Sequence, residues 1–290
     1  MWLADNWNDY EVLETSAGEK LERWGKCLLI RPDPQVIWLT KRTHPGWKKK
    51  NAHYHRNDKG GGEWEIFDLP EDWSVRYRDL VFRLKPFNFK HTGLFPEQAV
   101  NWDWCTEKII KAQQRLGRPL KILNLFAYTG GATLAAAKAG ARVTHVDAAK
   151  GMVSWAKENA LASGLGEAPI RWLVDDCVKF VEREIRRGNT YDGIIMDPPS
   201  YGRGPRGETW KLEENVYLLI EMAAKLLGKD AVFFVQSSHT AGLQPAALFY
   251  MLNVTLVSLL GGKVEADELG LPVTVNGLAL PCGAAARWYA

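Results

Sequence analysis

From about Pro96 onward, short apolar runs alternate with helically spaced stretches, and this alternation limits the fold more than any other feature. Residues 121–126, 142–147, 170–175, 193–197 and 231–237 read as strands, and 97–116, 132–139, 152–163, 178–187 and 213–227 as helices. Gly193-Ile194-Ile195-Met196 has no polar side chain, which suits a strand covered on both faces. Repeated β-α-β units connect parallel neighbours by right-handed crossovers. The fold class expected is therefore α/β, a doubly wound, mostly parallel sheet. The closing stretch, residues 264–289, reads as two further strands and an antiparallel edge.

Residues 1–88 have a different texture, short strands broken by turns. Apolar runs at 26–30 and 36–39 flank the turn Arg31-Pro32-Asp33-Pro34, and 64–67, 73–77 and 80–84 look like further strands. Residues 41–62, rich in Lys, Arg, His and Gly, are expected to be an exposed loop, mobile at Gly60-Gly61-Gly62. The division expected is a small β-rich module at 1–88 and an α/β domain at 89–290. Cys27, Cys105, Cys177 and Cys282 form no Cys-x-x-Cys pair, so a disulfide framework or zinc site is not expected and a reducing cytoplasm is. No other ligand set for a metal is evident. The N-terminus lacks the basic start and apolar core of a signal peptide, and no apolar run reaches the roughly 18 residues of a membrane span. A net charge of +3 is too small to identify a nucleic-acid partner by itself.

In an open α/β sheet, ligands sit at the carboxyl ends of the strands. After the first comes Phe126-Ala127-Tyr128-Thr129-Gly130-Gly131, where glycines let a ligand approach the backbone. The turn lacks Gly-x-Gly-x-x-Gly and any Gly-Lys-Ser/Thr, so nothing in it is built for a pyrophosphate or triphosphate. The second strand ends in Asp147, about where such folds grip a ribose diol. The third ends in Asp175-Asp176-Cys177, where a carboxylate suits an adenine amino group and the Cys177 N–H a ring nitrogen. Helix capping is the plainer alternative for both acidic positions, and the two roles are compatible. Together these ends point to an adenosine without phosphates, with S-adenosylmethionine as the natural candidate.

The fourth strand ends in Asp197-Pro198-Pro199-Ser200-Tyr201. Two prolines fix the backbone and leave carbonyls able to accept beside the Asp197 carboxylate. Acceptors on both N–H bonds of a ring amine favour its attack and the loss of its proton. Tyr201 is suited to stack on a planar ring. Methyl transfer from a sulfonium needs mainly alignment of nitrogen, methyl and sulfur.

From about Gly93 the chain resembles the class I methyltransferases of the large-subunit ribosomal RNA family. The resemblance rests on Gly93-Leu94-Phe95-Pro96-Glu97-Gln98, Asn124-Leu125-Phe126-Ala127-Tyr128-Thr129-Gly130-Gly131, Asp147-Ala148-Ala149-Lys150, Asp176-Cys177 and Asp197-Pro198-Pro199, in that order. It implies a Rossmann-like, seven-stranded sheet ending in an antiparallel hairpin. It also implies cofactor contacts from Phe126 to Gly131 and from Asp147, Ala148, Asp176 and Cys177. Members that methylate cytosine carbon use a cysteine after the fifth strand, and here that stretch reads Gln236-Ser237-Ser238-His239. Serine is a weak nucleophile for that attack, which favours a nitrogen acceptor.

Two basic segments suggest how RNA is held. Lys41, Arg42, Lys48, Lys49, Lys50, Arg56 and Lys59 surround Trp47, Tyr54 and three histidines, an interleaving that suits looped RNA. After Ser200 and Tyr201, Arg203 and Arg206 lie among glycines and are placed for phosphates, as in a substrate lid. The expected function is S-adenosylmethionine-dependent methylation of a base nitrogen, in ribosomal RNA. The alternatives are a protein amide or small heterocycle as acceptor, cytosine carbon, and a non-catalytic RNA-binding protein.

Overall fold

Alternating burial along Trp73–Tyr77 and continuous burial along Gly193–Met196 mark two kinds of sheet. They belong to two units of the computed structural model, which describes residues 1–57, 61–87, 90–203, 209–240 and 242–290. One unit is Trp2–Val100 with Gly270–Cys282, and the other is Asn101–Leu269 with Gly283–Ala290 and Met1.

In the first unit, β1 (Trp2–Leu3) precedes β2 (Tyr10–Ser16), β3 (Glu19–Trp24), β4 (Cys27–Pro32), β5 (Ala52–Arg56) and β6 (Gly62–Ile66). The last five form a sheet in that order, parallel only between β4 and β5. β7 (Trp73–Tyr77) and β8 (Leu80–Leu84) form a separate hairpin. The β2–β3 turn needs two left-handed residues, Ala17 (φ 55°) and Gly18 (φ 79°), the twist that favours a two-residue connection. Glu22 is fully buried on β3. Arg31 donates to it at 2.6 and 2.7 Å, and the Tyr10 hydroxyl at 2.7 Å. Burial opposes ionisation, but Arg31 and Lys20 outweigh it and hold the Glu22 carboxyl down to about 2.

Residues 36–39 are not a strand. Val36 and Trp38 accept at 2.8 Å from Gly18 and Ala17 of the β2–β3 turn, and no ladder forms. Residues 41–62 are not one loop. They hold a 3-10 turn at Pro45–Trp47 and all of β5, with Trp47 and Tyr54 buried. Trp47 donates to Glu14 and carries the Arg42 guanidinium at 3.9 Å over its ring. The aromatics among the basic residues therefore serve the core of this unit rather than base stacking.

In the second unit a 3-10 turn at Pro96–Gln98 leads into α1 (Ala99–Leu116). β9 (Lys121–Leu125), α2 (Gly131–Lys138), β10 (Arg142–Asp147), α3 (Lys150–Ala162), β11 (Ile170–Val174), α4 (Cys177–Arg186) and β12 (Gly193–Met196) then alternate. A ribbon of β13 (Tyr201–Arg203) and β14 (Thr209–Lys211) precedes α5 (Leu212–Ala224) and β15 (Phe233–Ser238). α6 (Pro245–Leu252), a π-helical segment at Asn253–Val257 and α7 (Ser258–Leu260) follow, then β16 (Lys263–Pro272) and β17 (Ala279–Tyr289). The eight-stranded sheet has the order β1-β16-β17-β15-β12-β9-β10-β11, the expected seven strands plus the two-residue β1. β15-β12-β9-β10-β11 are parallel, and β17 is antiparallel to β15. Gly193 opens β12 because a Cβ there would sit 2.7 Å from Phe233 and 2.9 Å from Ile122. The helix over residues 245–260 has no counterpart in the sequence reading.

Candidate active site

The chain leaves β9 and turns back over β10, while β12 lies on the other side of β9, so the order reverses between β9 and β12. Ligands of open α/β sheets bind at such a reversal, outside the carboxyl ends of the strands. Met196 is level with Leu125, so the β9 loop and the Asp197 loop begin side by side.

The β9 loop is held in a conformation that costs energy. Phe126 (φ 55°), Tyr128 (φ 49°) and Gly130 (φ 92°) are left-handed, and the first two pay roughly 1–2 kcal/mol each for a Cβ there. Three contacts hold them. Phe126 N donates to Cys177 Sγ at 3.2 Å, Tyr128 N to Asp147 Oδ2 at 2.8 Å, and the Asn159 amide to Thr129 O at 2.9 Å. The second Asp147 oxygen accepts from Ala149 N at 2.9 Å. Burial raises the Asp147 carboxyl above its usual range, against these two bonds. The glycines serve packing. A Cβ on Gly131 would lie 2.4 Å from Trp102, and one on Gly130 3.0 Å from Leu134 and 3.1 Å from Ala156. Packing at both positions, and the left-handed backbone at Gly130, already call for glycine.

Asp176 caps α4, accepting from Lys179 N at 2.9 Å, and a carboxylate that caps through Oδ1 retains Oδ2 as an acceptor. Cys177 is buried, and burial pushes its thiol far up. Its Sγ lies 3.7 Å from Val146 O, so the thiol joins β10 to the β9 loop. Beneath the loop, Asn124 donates to Thr133 Oγ1 at 2.9 Å, and Thr133 meets His145 Nδ1 at 2.9 Å. His145 is fully buried, and burial lowers it to about 3, so the imidazole is neutral.

At the end of β12, Asp197 is half-buried, Pro198 buried, and Pro199, Ser200 and Tyr201 exposed. Asp197 Oδ2 lies 3.4 Å from His239 Nε2, which β15 delivers. Ser200 Oγ accepts from Thr240 at 2.6 Å. The expectation that both proline carbonyls stay open is corrected, because Pro199 O accepts the Trp210 indole N–H at 2.7 Å. The Trp210 ring stands 5.4 Å from that of Phe126 and so ties the Asp197 loop to the β9 loop. Sequence reasoning missed Trp210, since only the pairing of β13 with β14 brings it back. Arg206 and the side chain of Arg203 lie outside the described residues.

Ser237 belongs to the stretch Gln236 to His239, where the sequence reading looked for a cysteine nucleophile. It is buried, and its hydroxyl accepts from Asn101 at 3.3 Å, while Asn101 Oδ1 accepts Arg287 at 2.8 and 2.9 Å. Burial lowers Arg287 to about 10. The nearby Cys105 is also buried, and its thiol is pushed up to about 12.

A family model described as S-adenosylmethionine-dependent methyltransferase matches residues 39–223. The chain is 36% identical over 253 residues to "Ribosomal RNA large subunit methyltransferase K/L" of Pseudoalteromonas atlantica, covering 78% of this chain and 34% of that protein. It spans about a third or less of the length of such curated relatives. The SAM-dependent methyltransferase from Agrobacterium tumefaciens superposes with TM-score 0.90 at 36% identity, over 97% of this chain and 90% of that one. SMU.776, a putative methyltransferase complexed with SAH, shares the fold at TM-score 0.72 and 18% identity, over 98% and 76% of the two chains.

Proposed function

Because the chain belongs to the S-adenosylmethionine-dependent methyltransferase family, we propose that it methylates a base nitrogen in ribosomal RNA. The observation that carries this reading is the joining of two loops. Trp210 binds the acidic Asp197–Ser200 turn to the left-handed β9 loop at the reversal point of the sheet. The RNA substrate rests on the relatives named for large-subunit ribosomal RNA.

The residues present fit the cofactor. Phe126, Tyr128, Asp147 and Asp176 are partly exposed at neighbouring strand ends, and both carboxylates offer acceptors that suit the donors of an adenosine. Asp147 with Ala148 would hold the ribose, and Asp176 with the Cys177 N–H the adenine. Ala127, Thr129, Gly130 and Gly131 shape the loop. Bound S-adenosylmethionine supplies an electrophilic methyl carbon on a sulfonium that leaves as a neutral thioether. Asp197 and the Pro198 carbonyl accept from the N–H groups of the acceptor nitrogen and orient its lone pair. As the new N–C bond forms, Asp197, with His239 behind it, is placed to take the proton the nitrogen sheds. Tyr201, about half exposed, is available to stack on the base, and Ser200, Arg203 and Arg206 would line its path.

A cytosine-carbon acceptor is disfavoured because Ser237 is buried and engaged, and the Cys105 and Cys177 thiols are buried and raised. The β-rich module would supply further RNA contacts through exposed Lys41, Arg42, Lys48 and Lys49. No helix among the described residues is long and apolar enough to cross a membrane, and we place the enzyme in the cytoplasm with its RNA.

The test is transfer of labelled methyl to ribosomal RNA, followed by nucleoside mass spectrometry. Asp197→Ala should abolish transfer and the product should be an N-methylated base. Full activity in that variant would refute the site. Activity insensitive to salt and to charge reversal of Lys48 to Lys50 would point to a protein or small-molecule acceptor.

A further inference from the structure

The sequence suggests no metal ligands, yet the β-rich module gathers a set of them. His53 and His55 alternate along β5, so both project from one face. Their rings lie with centroids 3.9 Å apart. Glu65 of β6 is paired in register with His53, and Glu63 with His55. Directly opposed residues on an antiparallel pair bring their side chains together. One ligand atom each from His53, His55 and Glu65 lie within 4.8 Å of one another.

We propose that His53, His55 and Glu65 bind a divalent transition-metal ion of the zinc type. Two imidazoles and one carboxylate suit such an ion, whereas calcium and magnesium prefer oxygen alone. His55 Nε2 and Glu65 Oε2 already face each other at 2.8 Å, sharing a proton that a cation would replace. Three protein ligands leave a fourth position for water. Glu19 stands behind the group, 2.6 Å from His53 Nε2, and Arg42 at 2.7 Å fixes its other oxygen. A carboxylate behind a ligating imidazole orients the ring and raises its basicity. Glu63, on the same face, adds negative charge. An open cavity of about 510 Å³ borders His55 and Glu19, and the exposed His55 and Glu65 are reached directly from solvent.

The consequence for the fold is a clip. β6 is an edge strand of its sheet, with β5 its one strand neighbour among the described residues. An ion shared by His53 and His55 on β5 and Glu65 on β6 would fasten that edge across the strands.

The full chain, free of any affinity tag and stripped with a chelator, would be titrated with Zn²⁺ by calorimetry and Co²⁺ by visible absorption. About one equivalent should bind, with the d–d bands of a nitrogen–oxygen site. His55→Ala and Glu65→Gln, both exposed positions, should lose that binding while keeping the wild-type circular dichroism spectrum. Glu19→Gln should weaken it by roughly 10- to 100-fold. Zn²⁺ should raise the melting temperature of the wild type and leave that of His55→Ala unchanged. Absence of stoichiometric binding, equal affinity in His55→Ala, or an intense sulfur-to-cobalt band placing the ion on cysteine would each overturn the proposal.

Discussion

Asp147→Ala separates what the β9 loop needs from what a bound nucleoside needs. The carboxylate accepts Tyr128 N at 2.8 Å and Ala149 N at 2.9 Å. Hydrogen bonds to a charged group contribute about 1.5–3 kcal/mol each. Ala149 is exposed, so water replaces its bond at little cost. Tyr128 is half-buried and left-handed, so losing its partner frees the loop to relax. The half-buried carboxylate also carries a desolvation cost that its removal relieves. The net expectation is about 2 kcal/mol of lost stability, read by urea denaturation. If Asp147 also grips the ribose diol, one more charge-assisted bond is lost. At about 1.4 kcal/mol per factor of ten, S-adenosylmethionine should bind roughly 10- to 150-fold more weakly by calorimetry. Asp147→Asn keeps an acceptor for one of the two N–H groups and should fall between wild type and Ala in both measurements. A lower urea midpoint with an unchanged Kd would make Asp147 a structural staple and refute its part in cofactor binding.

Trp210→Ala removes the bond to Pro199 O and the contact with Phe126, together about 2 kcal/mol, so kcat/KM should fall roughly thirtyfold. Trp210→Phe should recover part of that loss, and equal values for the two would exclude the ring contact. Ser237→Ala should keep the same methylated nucleoside and lose only about 1 kcal/mol of stability, whereas a folded but inactive variant would restore Ser237 as a nucleophile. Burial lowers His145 to about 3 when folded, against about 6.5 unfolded. Its contribution is therefore complete above about pH 6.5 and is lost as pH falls toward about 3, by up to about 1.4 kcal/mol per pH unit. Urea midpoints measured from pH 7 to 5 should show that slope, and His145→Gln should flatten it. Glu22→Ala takes from buried Arg31 the carboxylate it donates to and should cost about 3–5 kcal/mol by the same assay, with a loss under 1 kcal/mol arguing that the pair is dispensable.

The parallel strands were legible because burial on both faces writes itself as unbroken apolar sequence, as in Gly193-Ile194-Ile195-Met196. Asp197 was legible for the same reason, as the first polar residue after that run. β2 and β3 were not. Their buried faces carry Glu14 and Glu22, which violate alternation unless one knows that Thr43, His44 and Trp47 serve the first and Arg31 the second. Those partners lie 9 to 33 residues away. The basic loop misled because Lys and His mask the period-two burial of Ala52 and Tyr54. Within the candidate site, the place of Asp197 at the end of β12 was legible from its turn, whereas that of Trp210 depends on a ribbon and that of Ser237 on Asn101 and Arg287, contacts that no local pattern encodes.

β17 lies inside the sheet, between β15 and β16, although it is the last of its strands to be made. A ribosome releases the chain from the N-terminus, so β15 and β16 emerge with unpaired edges and wait for the strand that separates them. Until β17 arrives, the two exposed edges can meet each other or another nascent chain, a mispairing hazard set by strand order alone. The parallel core around β9 and β12 is complete in sequence well before that moment. β17 has to pair with β15 on one side and β16 on the other, and that pairing carries Arg287 to Asn101.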